Sequence, residues 1–201
     1  MADNQANQTK KRILDAAIDV LAEHAISGTR VRIVADEAGV LPSNIHYYYA
    51  TKEDLLKDVL REIGNRSAVR RQELKRDAGK SLVDQLKVFF NSKRIMIEKD
   101  PKADIIQYDF WLQGLTNAKN EMKPEFRDFF GTWERDILEV LSECVPDLEE
   151  NRKQAVVYIM ISMMIGVSMQ YHYNDGSMNL EKYFDDCLYM IQDYIAWGRE
   201  E

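Results

Sequence analysis

The sequence predicts an all-α fold, and two observations carry that prediction. Apolar residues recur at helical spacing between clusters of Gly, Pro, Asn and Asp, and no stretch longer than four residues alternates as a strand would. The first helix is expected over about 10–24, where Ile13, Ala17, Val20 and Leu21 share one face with Leu14 and Ile18 beside them. A short second helix is expected over about 30–38, with Val31, Val34, Ala35 and Ala38 at i, i+3, i+4 and i+7. Thr29 reads as its N-cap and Gly39 as its left-handed stop. A third, about 42–49, has Pro42 in its first turn, and a fourth starts near 51 and runs to 75 or beyond.

The remaining helices are longer. One is expected over about 103–116. The next carries Phe126, Phe129, Phe130, Trp133, Ile137, Val140, Leu141 and Cys144 as one unbroken stripe. Leu180, Tyr183, Phe184, Cys187, Leu188, Ile191, Tyr194, Ile195 and Gly198 follow the same rule on the last helix. Between these two, residues 155–173 are apolar on nearly every side, so that helix needs cover all round, from its own chain or from a second copy. Ser162 and Gly166, four apart, let a neighbouring helix approach closely.

A chain of 201 residues buries roughly 70% of its unfolded surface and needs no disulfide or metal staple. Cys144 and Cys187 both fall on apolar stripes and read as small buried hydrophobes. Residues 1–9 are polar and lack the apolar region of a secretory signal, and the longest nearly apolar run, 155–169, is short for a membrane span. The expectation is a cytoplasmic protein with no membrane partner. The formal charge of −7 hides a split: residues 1–76 hold 13 basic and 11 acidic groups, whereas residues 77–201 hold 14 and 23. An acidic total argues against nucleic acid; the split reopens that question for the N-terminal part.

The stretch from Thr29 to Leu56 is the informative one. It reads as a short amphipathic helix, a Gly turn and a second short helix whose open face is Ser43, Asn44, His46, Tyr47 and Tyr48. A helix-turn-helix needs a compact scaffold helix, a tight turn and a recognition helix able to enter a major groove about 12 Å wide. Ser43 permits close approach, and Asn44, His46 and Tyr47 offer donors and acceptors to base edges and phosphates. Ile45 and either Tyr48 or Tyr49 face the core. Lys52 places a cation beside a helix N-terminus, a combination suited to a phosphate oxygen. Arg30, Arg32 and the run Lys10-Lys11-Arg12 add positive charge, and three cations in the first turn of a helix oppose its dipole unless an external anion benefits.

Residues 10–56 resemble the DNA-binding domain of the tetracycline-repressor (TetR) family of bacterial regulators. The resemblance rests on Arg30-Val31-Arg32-Ile33-Val34-Ala35-Asp36-Glu37-Ala38-Gly39-Val40, then Ile45-His46-Tyr47-Tyr48-Tyr49, then Lys52 with Leu55 and Leu56, without gaps. Three positions depart from the family pattern. Arg30 replaces the usual Thr before the second helix, although Thr29 lies one place earlier. Leu41 replaces a capping Ser, and His46 replaces the first Tyr of the aromatic segment. His46 is left between base contact and turn packing.

The resemblance implies an N-terminal three-helix DNA-binding domain over 1–52 and a helical effector-binding and dimerisation domain over 53–201, about nine helices in all. It further implies a homodimer formed through the last two helices, a near-palindromic DNA operator and release by a small molecule. The expected DNA-contacting residues are Lys10, Lys11, Thr29, Arg30, Arg32, Pro42, Ser43, Asn44, His46, Tyr47, Tyr48 and Lys52. An effector pocket is expected from Phe90, Tyr108, Asp109, Trp111, Gln113, Trp133 and Gln170, which mix aromatic and polar groups. Trp111 and Trp133 also suit a core, and Asp109 is left between facing a ligand and pairing within the fold. The segment from Asp109 to Gly114 loosely resembles the choline-sensing betaine repressors, which would suit a cationic ligand.

His24, His46 and His172 lie far apart in sequence, and no Gly-rich phosphate loop or nucleophile–base set is present. No metal, cofactor or catalysis is therefore expected. The competing reading is a helical ligand- or protein-binding module that keeps the helix-turn-helix only as scaffold.

Overall fold

The computed structural model describes residues 2–116 and 123–197; Gly198, the last position of the C-terminal stripe, lies outside them. Among the described residues there are nine α-helices and no strand. They are α1 (Ala2–Gly28), α2 (Val31–Ala38), α3 (Pro42–Tyr48), α4 (Lys52–Asp77), α5 (Leu82–Lys99), α6 (Pro101–Thr116), α7 (Lys123–Cys144), α8 (Glu150–Tyr173) and α9 (Leu180–Trp197). Capping chemistry sets several starts. Thr51 and Asp54 bond each other's backbone N–H at 3.1 Å ahead of α4. The Ser81 hydroxyl accepts from the Asp84 N–H ahead of α5, and the Asn179 side chain accepts from the Lys182 N–H ahead of α9.

Two compact units divide the chain, 1–66 with 100–129 and 67–99 with 130–201. In the first, α1 packs on α2 and α6. Its buried side chains include Ile13, Ala17, Ile18, Val20 and Leu21 from α1, Val34, Ala35 and Ala38 from α2, and Ile45 from α3. Phe110 of α6 meets Phe126 of α7 with ring centroids 5.7 Å apart. The second unit is built on α5, α8 and α9. Phe90 stacks on Phe184 at 4.9 Å, surrounded by Trp133, Ile137 and Leu141 of α7 and by Val156, Val157, Met160 and Met164 of α8. The stripes predicted on α7 and α9 are the buried ones: Phe126, Phe129, Trp133, Ile137, Val140 and Leu141, and Leu180, Phe184, Cys187, Leu188, Ile191 and Ile195. Both cysteines are free thiols, Cys187 buried and Cys144 half-buried. Burial raises the Cys187 thiol above its ordinary range, as it does the neighbouring Tyr183 phenol, which is pushed up to about 12.

α8 is long and apolar enough to cross a membrane by length and composition alone. Only one of its faces is covered within the second unit; Tyr158, Met169 and Tyr173 are exposed on the other. A Cβ added at Gly166 would meet no atom within 4 Å, so this stretch of the helix is open for another backbone to approach.

In the first unit, Asp58 of α4 takes the Lys10 ammonium at 2.7 Å, the Arg61 guanidinium at 3.0 Å and the Tyr49 hydroxyl at 3.3 Å. Burial disfavours its charge, but these partners together outweigh burial and hold the carboxyl below its ordinary 3.8. A carboxylate depressed in the folded state adds stability above the unfolded value, and that stability is lost as pH falls through the folded one. Urea titrations at neutral pH should therefore show Asp58→Asn less stable than the parent. The gap should narrow at pH values below 3.8. A gap independent of pH would remove Asp58 as the titrating group.

Candidate nucleic-acid interface

The helix-turn-helix is set by its backbone ends. Arg30, at φ −125° and ψ 142°, is the N-cap of α2 and makes no side-chain cap bond. Thr29 is therefore not the cap the sequence suggested; its hydroxyl donates to the Ala25 carbonyl at 2.7 Å and the residue is only 3% exposed. Buried and spent on its own chain, Thr29 also does not present its hydroxyl to a phosphate. α2 ends as expected at Gly39, with φ 61°, where the Val40 N–H returns to the Ala35 carbonyl at 3.0 Å. The N-cap of α3 is Leu41, which gives no side-chain cap and is 69% exposed.

On α3 the division of labour is clear. Ile45 and Tyr49 face the core, whereas Pro42, Ser43, Asn44, His46 and Tyr47 are exposed. Tyr47 is 82% exposed and meets Tyr48 edge-on at 5.1 Å. Tyr48 is half-buried, its hydroxyl donating to the Ala6 carbonyl at 3.2 Å. Arg30 at the N-cap of α2 and Arg32 within it are exposed, as is Lys11 on α1. All of these residues except the half-buried Tyr48 are exposed, so α1–α3 carry open polar and cationic side chains.

Other expected cations are spent internally. α1 begins at Ala2, so the run at 10–12 lies well inside the helix rather than in its first turn, and the dipole argument for it fails. Lys10 pairs with Asp58. The Arg12 guanidinium donates to the carbonyls of Ala38 at 2.6 Å and Gly39 at 3.3 Å. A cation at the C-terminus of α2 is where the helix dipole favours one. Lys52 donates to the Ile26 carbonyl at 2.6 Å; an ammonium has three donors, which leaves others for a phosphate.

The expected effector residues fall into separate groups. Tyr108, Asp109, Trp111 and Gln113 lie on α6 in the first unit, whereas Phe90, Trp133 and Gln170 belong to the second. Phe90 and Trp133 are buried in the second core, and Gln170 is exposed. Asp109 resolves toward internal pairing: one carboxylate oxygen accepts the Ile26 N–H at 2.5 Å. That bond sits beside Ala25, whose φ of 55° and ψ of 174° break α1 and turn the chain toward α2. Sequence reading missed this junction, because an Ala in a left-handed conformation leaves no compositional trace.

Residues 13–59 match the family described as bacterial regulatory proteins, tetR family. The match covers the helix-turn-helix segment, about a quarter of the chain and of the curated relatives it aligns with. The segment is 44% identical over 54 residues to the HTH-type transcriptional regulator RutR of Escherichia coli, a match covering 27% of this chain and 26% of that protein. A longer alignment, to the HTH-type transcriptional repressor KstR2 of Mycolicibacterium smegmatis, is 24% identical over 198 residues and covers 94% and 91% of the two chains. The tetR-type fold extends over nearly the whole chain. The transcriptional regulator FadR of Bacillus subtilis, solved with stearoyl-CoA, superposes with a TM-score of 0.76 at 18% identity, covering 90% and 96%. A Rhodococcus transcriptional regulator gives 0.74 at 19%, covering 94% and 96%.

The Asp109–Ile26 bond makes a direct prediction. Asp109→Ala should raise amide hydrogen exchange at Ile26 by about tenfold or more while α9 amides keep their rates. Unchanged protection at Ile26 would show that Asp109 does not hold the junction.

Proposed function

We propose that this chain is a homodimeric transcriptional repressor that reads a near-palindromic operator through α3 and leaves it when a small molecule binds. The carrying observation is the open face of Arg30, Arg32, Ser43, Asn44, His46 and Tyr47, set on a tetR-family segment with a fully packed scaffold beneath it. Asn44, His46 and Tyr47 supply base-edge donors and acceptors, while Arg30, Arg32, Lys11 and the remaining donors of Lys52 take phosphates. Lys10 and Tyr48, both engaged by protein partners, orient this face rather than read bases.

The dimer is assigned to α8 and α9. Exposed Tyr158, Met169 and Tyr173 on α8 and Tyr189, Met190 and Trp197 on α9 are large apolar groups that a soluble monomer rarely exposes together. A two-fold interface uses one patch twice, so a single such surface suffices. Residues 1–52 are assigned to operator reading and 53–201 to effector binding and dimerisation, with α4 (Lys52–Asp77) running continuously from one to the other. The effector acts as a population shift, favouring a spacing of the two α3 helices that the operator does not accept. Its site is in the cytoplasm, on DNA, and no catalytic step is assigned.

Two relatives fit this reading: KstR2 is a repressor and FadR holds stearoyl-CoA. The likeness of the Asp109–Gly114 segment to betaine repressors carries no cationic effector here, because Asp109 is occupied by Ile26.

Footprinting on the DNA upstream of the chain's own gene should reveal a protected inverted repeat. Tyr47→Ala should weaken operator binding by about tenfold or more, the value of one good base contact, with thermal stability unchanged because the side chain is exposed. Retained affinity with both this variant and Arg32→Ala would favour a module that keeps the helix-turn-helix as scaffold only. For the dimer, Gly166→Arg should convert the species seen by sedimentation to monomer with its helical content intact. A dimer that persists would move the interface off α8.

A further inference from the structure

Among the described residues of α1–α3, the large hydrophobic side chains left exposed are those of Leu41 and Tyr47. The other aliphatic residues of α2 and α3 are covered: Val31, Ile33 and Val40 are half-buried, and Val34 and Ile45 are buried. Tyr47 carries a hydroxyl that water or a base can satisfy, whereas Leu41 carries hydrocarbon alone. Leu41 also weakens its own helix. It is the N-cap of α3, where a Ser, Thr, Asp or Asn side chain would accept a helix N–H and Leu accepts none. Most of its surface stays in water, so burial returns little for the lost cap.

The backbone that carries this side chain is nevertheless fixed. Pro42 bars the residue before it from the helical region, and Leu41 stands at φ −74° and ψ 147°. Behind it, the Gly39 and Val40 N–H groups donate to the Asp36 and Ala35 carbonyls at 3.2 and 3.0 Å, and the Arg12 guanidinium donates to the Ala38 and Gly39 carbonyls. Ahead of it, the Leu41 carbonyl accepts the Asn44 N–H at 2.9 Å. A side chain that neither caps nor packs is thus held on a rigid turn, next to the exposed Ser43 and Asn44.

Residues that enter the second helix of a helix-turn-helix lie nearest the base edges. In the major groove those edges present donors and acceptors, and the one apolar group among them is the C5-methyl of thymine. Set against the amino group of cytosine or adenine, or the O6 of guanine, Leu41 would strip water from a polar atom and offer no bond in return. Against a thymine methyl, two hydrocarbon surfaces leave water together.

We propose that Leu41 is a specificity-determining residue of the operator contact, reading one thymine in each half-site by its C5-methyl. This deepens the function proposed above and rests on it.

The test removes that methyl and nothing else. Duplexes are selected from a random-sequence pool by the full-length protein, and each thymine of the selected half-site is then replaced by uracil, in both halves at once. With the parent protein, one position should lose about 15-fold in affinity, from about fourfold for each methyl no longer buried. Leu41→Ser should bind the thymine and uracil duplexes equally at that position, whereas Tyr47→Ala, although weaker overall, should keep the difference. Leu41→Ser also supplies the missing cap, so it should melt no lower than the parent. Absence of any methyl-sensitive thymine would overturn the assignment. So would a sensitivity that survives in Leu41→Ser or vanishes in Tyr47→Ala, or a Leu41→Ser protein that melts below the parent. A parent protein that selects no duplex would overturn the proposed function and this assignment with it; selection without a Leu41-dependent methyl overturns the assignment alone.

Discussion

The peptide unit of Ile26 is the point on which the first unit turns. Its N–H is held by Asp109 from α6 and its carbonyl by Lys52 from the first turn of α4. One residue earlier, Ala25 adopts a φ of 55°, which an L side chain disfavours by about 1–3 kcal/mol, and its carbonyl takes both the backbone N–H and the hydroxyl of Thr29. Strain of this size persists only where surrounding contacts over-determine it. Here four bonds do so, and they come from α1, α4, α6 and the residue that leads into α2. The direction in which α2 leaves α1 is thus fixed by groups outside the helix-turn-helix itself. A displacement of α6 by about one ångström would stretch the Asp109 bond to the edge of hydrogen-bonding range, which makes this junction a place where a change in α6 reaches α2 and α3.

The same region shows why counting cations does not locate a DNA surface. Lys10, Arg12 and Lys52 serve a carboxylate and two helix ends, and Arg66 bridges Asp15 and Glu62. Burial works against the charged Arg66, but the two carboxylates outweigh it and raise its proton affinity further. Lys102 on α6 is likewise drawn to Asp19 of α1. Apart from Arg66–Glu62, which lies within α4, each of these pairs joins one helix to another or closes a helix end. What is left over for an external anion is the smaller set of Lys11, Arg30 and Arg32 with the spare donors of Lys52.

Much of this was legible in the amino-acid order. The stripes on α7 and α9 and the stop at Gly39 were readable because helical period and φ each leave a compositional mark. The exposed face of α3 followed from Ile45 and Tyr49 claiming the core. Tertiary partners of polar groups were not readable. Thr29 looks like a cap by type and position, yet its hydroxyl turns back to Ala25, and Asp109 looks equally suited to a ligand or to a backbone amide. Arg71 is the instructive miss. Val59, Ile63 and Ser67 precede it at steps of four, and that stripe is buried throughout, so the spacing alone put a guanidinium on the core face.

The exposed side chains of α3 and of α8 are linked through the proposed function. A seven-residue helix carries few side chains that reach base edges, and each good base contact discriminates by about 1–3 kcal/mol. Recognition of one site against a genome needs roughly 4–10 kcal/mol over non-specific binding. Asn44, His46 and Tyr47 of one α3 would together supply about 3–9 kcal/mol, and a second copy at a fixed spacing doubles that. An uncapped start at Leu41 weakens a single α3 further. On the function proposed above, a second copy secures that margin, and α8, with Gly166 open and Tyr158 and Met169 exposed, is the element that offers a surface for it.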